Sequence, residues 1–275
     1  MMSKELTSLD LHSHVVPGAT IEHVRDYWNR RPCNIRHSNK PVGSREYYDE
    51  VEARKYFVEP HIPQFAEFSK WTGKKVLEIG CGIGTDAVNF ARAGADYFAT
   101  DLSEESLKVA RQRFALFGLS GNFVVCDAEN LSAAVSERDF DLIYSFGVIH
   151  HTPEPAQIIR EARALIAKDG EFRVMLYAKN SWKDIMIDAG LEQPEAQSGC
   201  PIAYRYTHDE VRALFAENGF AVTRIDQTHI FPYIIDKYVN YEYERQPWFE
   251  RMPPEMFKAL EQALGWHLCI YAKPA

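Results

Sequence analysis

The segment Val76-Leu77-Glu78-Ile79-Gly80-Cys81-Gly82-Ile83-Gly84 constrains this chain more than any other. Its first four residues read as a buried strand. Three glycines in the next five let the backbone turn tightly and pass close to a ligand at a helix N-terminus. Thr85 or Asp86 is expected to cap that helix, which places Ala87, Phe90 and Ala91 on one face before Gly94 stops it. The pattern then repeats. Strands are expected at 96–100, 122–126, 140–144 and 171–177, with one helix opened by Ser103 and another near 155–167. Such alternation specifies a parallel sheet covered by helices. Further on, Thr207-His208-Asp209-Glu210 is a capping-box signature, and strands follow at 220–225 and 266–271. The long excursion between those two strands suits a mixed sheet with an antiparallel edge.

The fold class is therefore α/β, a Rossmann-like seven-stranded mixed sheet. Residues 1–72, rich in aromatic, His and Arg residues, are expected to form an N-terminal cap or lid. Residues 73–275 are expected to form the core, with cap insertions near 178–206 and 229–258. A chain of 275 residues with 46% hydrophobic and 25% charged residues suits a soluble globular protein. Its formal charge of -8 argues against a general nucleic-acid binder, which needs surplus Lys and Arg to neutralise phosphates. The five scattered cysteines include no C-x-x-C, so neither a disulfide framework nor a zinc finger is expected. The N-terminus lacks a signal-peptide pattern and no apolar run reaches about 20 residues, so the expected location is the cytoplasm, away from membranes.

A dinucleotide fingerprint would require glycine where Thr85 stands, and no Gly-Lys-Ser/Thr follows for a P-loop. Glu78, just before the first glycine, would repel a pyrophosphate but suits a ligand bearing ammonium and sulfonium groups. S-adenosylmethionine (SAM) is such a ligand. Residues 76–84 resemble the first motif of class I SAM-dependent methyltransferases acting on small molecules, and the likeness continues in order through about residue 225. That resemblance implies SAM as cofactor, held by Glu78, Gly80, Cys81, Gly82, Asp101, Leu102, Asp127, Ala128, Ser145 and Phe146. Asp101 would bind the ribose hydroxyls, Asp127 the adenine, and the segment from Ser145 to His151 would lie beside the transferable methyl. Physical chemistry agrees, since a carboxylate suits two hydroxyls and ligands of open parallel sheets bind outside the C-terminal strand ends. Turn-forming and capping are the competing roles for each aspartate.

His150 and His151 are the candidate catalytic pair, because an imidazole can take the acceptor's proton near neutral pH. Capping the Thr-Pro-Glu-Pro turn, or packing under the cofactor, would equally account for either. Arg31 and Arg36, within a basic stretch that includes Arg25, Arg30, His37 and Lys40, could clamp an anionic substrate or form a solvated surface. Tyr47 or Tyr48 could close a lid over the cofactor or pack a helix. Tyr177 and Asn180 follow the fifth strand and would face the substrate. The aromatic stretch 229–258 suits a pocket wall or a homodimer surface. His12 and His14, with His229 distant, lack metal-ligand spacing, and no metal is expected. The reading is methyl transfer from SAM to a small, anionic acceptor whose O, N or C atom is not legible. Cyclisation or transfer of another group, an RNA or protein methyltransferase, a non-catalytic SAM-binding module and, more weakly, an NAD-dependent dehydrogenase share parts of the signature.

Overall fold

The computed structural model describes residues 14–191 and 199–275. His12 lies outside them. In chain order the elements are β1 (His14–Val15), α1 (Ile21–Arg30), α2 (Arg45–Val58), α3 (Ile62–Ala66), β2 (Lys75–Ile79), α4 (Thr85–Arg92), β3 (Asp96–Asp101) and α5 (Glu104–Phe117). Then come β4 (Asn122–Val125), α6 (Leu131–Ala134), β5 (Phe140–Phe146), α7 (Pro155–Leu165), β6 (Ile166–Ala178), α8 (Trp182–Asp188), β7 (Ile202–Ala203) and β8 (Arg205–Tyr206). The chain ends with α9 (His208–Glu217), β9 (Phe220–Thr228), α10 (Ile235–Tyr238), α11 (Pro247–Glu250), α12 (Pro254–Leu264) and β10 (His267–Pro274).

The main sheet runs β4-β3-β2-β5-β6-β10-β9, with the short β8 added to the end of β6. Strands β2 to β6 pair in parallel, whereas β10 is antiparallel to both neighbours. The sequence reading placed an antiparallel strand at the edge. That edge is the antiparallel pair β10–β9, in which β10 inserts between β6 and β9; counting β8, the sheet has eight strands rather than the seven expected.

Period-two alternation divides the strand side chains between two cores. Leu77, Ile79 and Ile143 join Ile158, Ala162 and Phe215 from α7 and α9. Val76, Leu142 and Tyr144 join Ala87, Phe90 and Leu107 from α4 and α5 on the opposite face. Ser103 caps α5 by accepting from the N–H of Ser106, and Thr207 and Glu210 form the expected capping box on α9. Neither Thr85 nor Asp86 caps α4, whose N-cap is Gly84. Those two side chains are drawn into buried polar contacts instead: Arg113 donates to Thr85 Oγ1 at 2.8 Å, and Lys55 donates to Asp86 at 2.8 Å.

The N-terminal segment and the late aromatic insertion meet over the C-terminal strand ends. Arg54 of α2 donates to the Tyr238 carbonyl at 2.6 Å and lies over the rings of Tyr238 and Tyr241. Tyr241 in turn donates to the Arg36 carbonyl at 3.0 Å.

Candidate functional site

The strand order changes direction at β2, with β3 and β4 on one side and β5 and β6 on the other, and a crevice opens at such a switch point. The first of two neighbouring cavities lies there. Its floor is built from Gly80 and Gly82, Asp101 and Leu102, Asp127 and Ala128, the residues that follow β2, β3 and β4. Gly80 takes φ +76, and a Cβ there would lie 2.3 Å from Val148 Cγ2, so only glycine permits this approach of chain to chain. The N–H groups of Gly80 and Cys81 donate to the Thr100 carbonyl at 2.8 and 3.1 Å, fixing the glycine turn onto the end of β3.

Asp101 accepts from Gly82 N–H on one oxygen and from Ser103 N–H on the other, each at 2.8 Å. A carboxylate offers about four lone-pair sites, so each oxygen keeps capacity for a ligand hydroxyl. Burial pushes its pKa up to about 6, opposed by those backbone donors, so the group is anionic at neutral pH. Asp127 caps the following 3₁₀ turn through Glu129 N–H at 2.9 Å while bordering the same cavity. Backbone-turn contacts and cavity lining therefore coincide at both aspartates, with Asp127 also the cap.

Four residues expected at the cofactor fare differently. Phe146 borders the cavity, whereas Glu78, Cys81 and Ser145 do not. Strand alternation sends Glu78 to the α4–α5 face, where it accepts from Tyr97 Oη at 2.5 Å. Burial, reinforced by Asp86, pushes the pKa of its carboxyl up. Cys81 is buried with its thiol turned to the Gly82 carbonyl, and Ser145 donates to the Ile79 carbonyl at 3.2 Å. The lid over this cavity is α1, through Ile21, Val24 and Trp28, and Asn29 accepts from Ser103 Oγ at 2.9 Å. Tyr48 is not the lid. It is fully buried and donates to the Val109 carbonyl at 3.0 Å, while Tyr47 donates to the Ile35 carbonyl.

A second, larger chamber lies beneath the cap and shares Trp28, Cys33, Phe146, Gly147 and His151 with the first. Its charged lining is Arg31, Arg36, Lys55, Lys183 and Glu59. Lys55 is occupied by Asp86; burial works to lower its pKa, but Asp86 and Glu59 together hold the ammonium above its usual value. Lys183 stands over the Trp266 ring at 5.1 Å, and burial pulls its pKa down to about 8 despite Glu59. Glu59 is itself pushed up to about 7 by burial. The chamber is thus cationic inside an acidic protein. Tyr177 lines it, stacked on Trp266 with centroids 4.4 Å apart. Asn180 does not; it is exposed at φ +57 in the turn before α8, its N–H bound to Asp184.

The two histidines separate in role. His150 is fully buried against Tyr177, neither ring nitrogen has a hydrogen-bond partner among the described residues, and it borders neither cavity. Burial holds its pKa well below the usual value. His151 borders both cavities, and its Nδ1 lies 2.6 Å from the Ile202 carbonyl. A carbonyl only accepts, so Nδ1 carries the proton and Nε2 the lone pair. Burial lowers its pKa to about 4, leaving a neutral imidazole with a free basic atom at neutral pH.

Three features escaped sequence reasoning: the α1 lid, Lys183, and a cluster of His61, His229 and His267 beside Glu59. The amphipathic spacing of Ile21, Val24 and Trp28 was a usable signal for the lid; the cluster joins residues about 200 positions apart and left none.

Residues 76–170 match a methyltransferase domain family. Ubiquinone biosynthesis O-methyltransferase of Proteus mirabilis is 30% identical over 119 residues, which are 42% of this chain and 48% of that enzyme. The corresponding enzyme of Actinobacillus pleuropneumoniae serotype 5b is 38% identical over 102 residues, 36% of this chain and 43% of that enzyme. The chain thus spans about half the length of the curated relatives it matches. Among solved structures, magnesium protoporphyrin IX methyltransferase from Synechocystis with bound S-adenosylhomocysteine (SAH) superposes with a TM-score of 0.59 at 18% identity, covering 92% of this chain and 98% of that one. A SAM-dependent methyltransferase from Mesorhizobium loti gives 0.52 at 17% identity, covering 77% and 96%. At such identities these likenesses establish the fold.

Proposed function

We propose that this chain, whose residues 76–170 form a methyltransferase domain on the class I fold, transfers a methyl group from SAM to a small anionic acceptor. The observation that carries the reading is the meeting of two cavities at one wall. The strand-end cavity offers Asp101, Asp127 and a glycine floor; the chamber beyond it offers cations; and His151 borders both. SAM, when bound, supplies a methyl already activated on its sulfonium, so the protein's task is alignment more than activation.

Asp101 would hold the ribose hydroxyls through the lone pairs its backbone donors leave free. Asp127 and Ala128 would flank the adenine, with Trp28 in the wall of the same cavity. Arg31, Arg36 and Lys183 orient the acceptor by its negative charge, with Tyr177 as an aromatic wall. His151 Nε2 would take the proton that the acceptor loses as the acceptor's lone pair bonds to the methyl carbon and the C–S pair returns to sulfur, leaving SAH. The Ile202 carbonyl fixes the tautomer that makes this possible. His150 supports the ring of Tyr177 and has no direct part in the chemistry.

The test is turnover of SAM labelled in the methyl group across a panel of small phenolic and carboxylic acids. Transfer of label to an anionic acceptor, reduced by about 10²- to 10⁴-fold in His151→Gln, is expected for loss of a general base. Transfer only to RNA or protein, or none with any acceptor despite tight SAH binding, would refute the small-molecule reading.

A further inference from the structure

Glu59, His229 and His267 bring three ligand atoms within 4.8 Å of one another at the wall of the cationic chamber. They come from the residue after α2, the residue after β9 and the first residue of β10, so only the tertiary fold assembles them. Two backbone features secure the meeting. His229 adopts φ +74, uncommon for a residue with a Cβ, and its carbonyl accepts from Trp266 N–H at 2.8 Å. Gly265 lies against Thr228, where a Cβ would come 2.3 Å from the backbone carbonyl carbon, so glycine alone lets the two segments close up. The imidazoles of His229 and His267 consequently stack with centroids 4.5 Å apart.

The donor groups are poised and under-used. Among the described residues, the Glu59 carboxylate and the His229 ring make no hydrogen bond, although both sit in the wall of the chamber. Both residues are only partly buried, so the pair is open to the chamber rather than sealed from water, beside the buried His267. His267 Nε2 lies 3.9 Å from Glu59 Oε1, and its Nδ1 lies 3.0 Å from His61 Nε2. An outer partner that fixes the tautomer and orientation of a ligating imidazole is the usual support of a metal-bound histidine.

We propose that Glu59, His229 and His267 bind one first-row divalent transition ion, such as Zn²⁺ or Co²⁺, with His61 as the outer partner of His267. Two imidazoles and one carboxylate are a ligand set that suits these ions and leaves coordination positions open. Those positions would take oxygen donors of the acceptor, and a coordinated hydroxyl would lose its proton more readily. That use of the ion rests on the methyl-transfer reading; the site itself does not. The ammonium groups of Lys55 and Lys183 oppose a dication here, although Asp86 offsets the first.

The experiment is titration of the tag-free full chain with Co²⁺ alone, followed by visible d–d absorption and calorimetry, with SAH binding measured on the same preparations. One Co²⁺ per chain is expected, displaced by Zn²⁺, and weakened at least tenfold in both Glu59→Gln and His229→Gln, with unchanged circular dichroism. Binding should persist when His12 and His14 are both replaced by alanine. Absence of Co²⁺ binding in the wild type, or its loss with His12 and His14 but not with Glu59 and His229, overturns the proposal. SAH binding reports separately, since loss of that signal would count against the cofactor cavity and leave the metal result standing.

Discussion

Gly80 combines a left-handed backbone with a close approach to Val148, so no other residue satisfies both constraints. Gly80→Ala should cost about 1–3 kcal/mol of stability, read by chemical denaturation, and weaken SAH binding as the glycine turn shifts. His151 carries a prediction about pH. Its folded pKa near 4 lies below the ordinary histidine value, so the ring remains neutral from mildly acidic to neutral pH. The kcat/KM profile should therefore show no inflection near pH 6.5 from this group, whose own protonation would lower activity only toward pH 4. An inflection near 6.5 that disappears in His151→Gln would show the imidazole to be more exposed to water than its burial implies. Lys183→Met should raise KM for an anionic acceptor severalfold while leaving SAH affinity unchanged, because Lys183 borders only the larger chamber. A matching loss of SAH affinity would place Lys183 in the wrong role.

At the scale of elements, α1 walls the strand-end cavity and is tied to α5 through Asn29 and Ser103. Trp28→Ala should speed SAH dissociation severalfold in stopped-flow competition and leave thermal stability nearly unchanged; an unaltered rate would mean that α1 does not close the site. Thr207→Ala removes the α9 cap and should cost about 1 kcal/mol without touching binding. What the sequence made legible follows from how local each signal is. The alternation that set β2 to β6, the capping residues Ser103 and Thr207, and the positions of Asp101 and Asp127 at strand ends depend on neighbours a few residues away. The misplacements have tertiary causes. Glu78 stands next to the glycine turn in sequence, yet strand alternation turns it to the opposite face, onto Tyr97. Tyr48 lies on a helix near the site, yet its hydroxyl is used by the Val109 carbonyl. Asn180 follows β6 as foreseen, but a left-handed turn carries it outward.

For the whole molecule, the charge of -8 and the cationic chamber are compatible because the cations that matter are gathered under the cap while acidic residues predominate elsewhere. No helix among the described residues is long and apolar enough to cross a membrane. Buried histidines dominate the expected pH dependence of stability. His37, His61, His150, His151, His229 and His267 all have folded pKa values below 6.5, so unfolding takes up protons and stability falls as pH drops through that value. Glu59, Glu78 and Asp101 act in the opposite sense, since their raised folded values, about 7, 8 and 6, favour the folded state at lower pH. The histidines are the more numerous, so the melting temperature should decline between pH 6.5 and 5; a rise over that interval would show the carboxyls prevailing. The most direct measurement is isothermal titration of the purified chain with SAH, with Asp101→Ala and NAD as comparisons. Micromolar SAH binding to the wild type, a loss of at least tenfold in Asp101→Ala, and no binding of NAD are expected. SAH affinity unaffected by Asp101→Ala, or preference for NAD, would contradict that expectation.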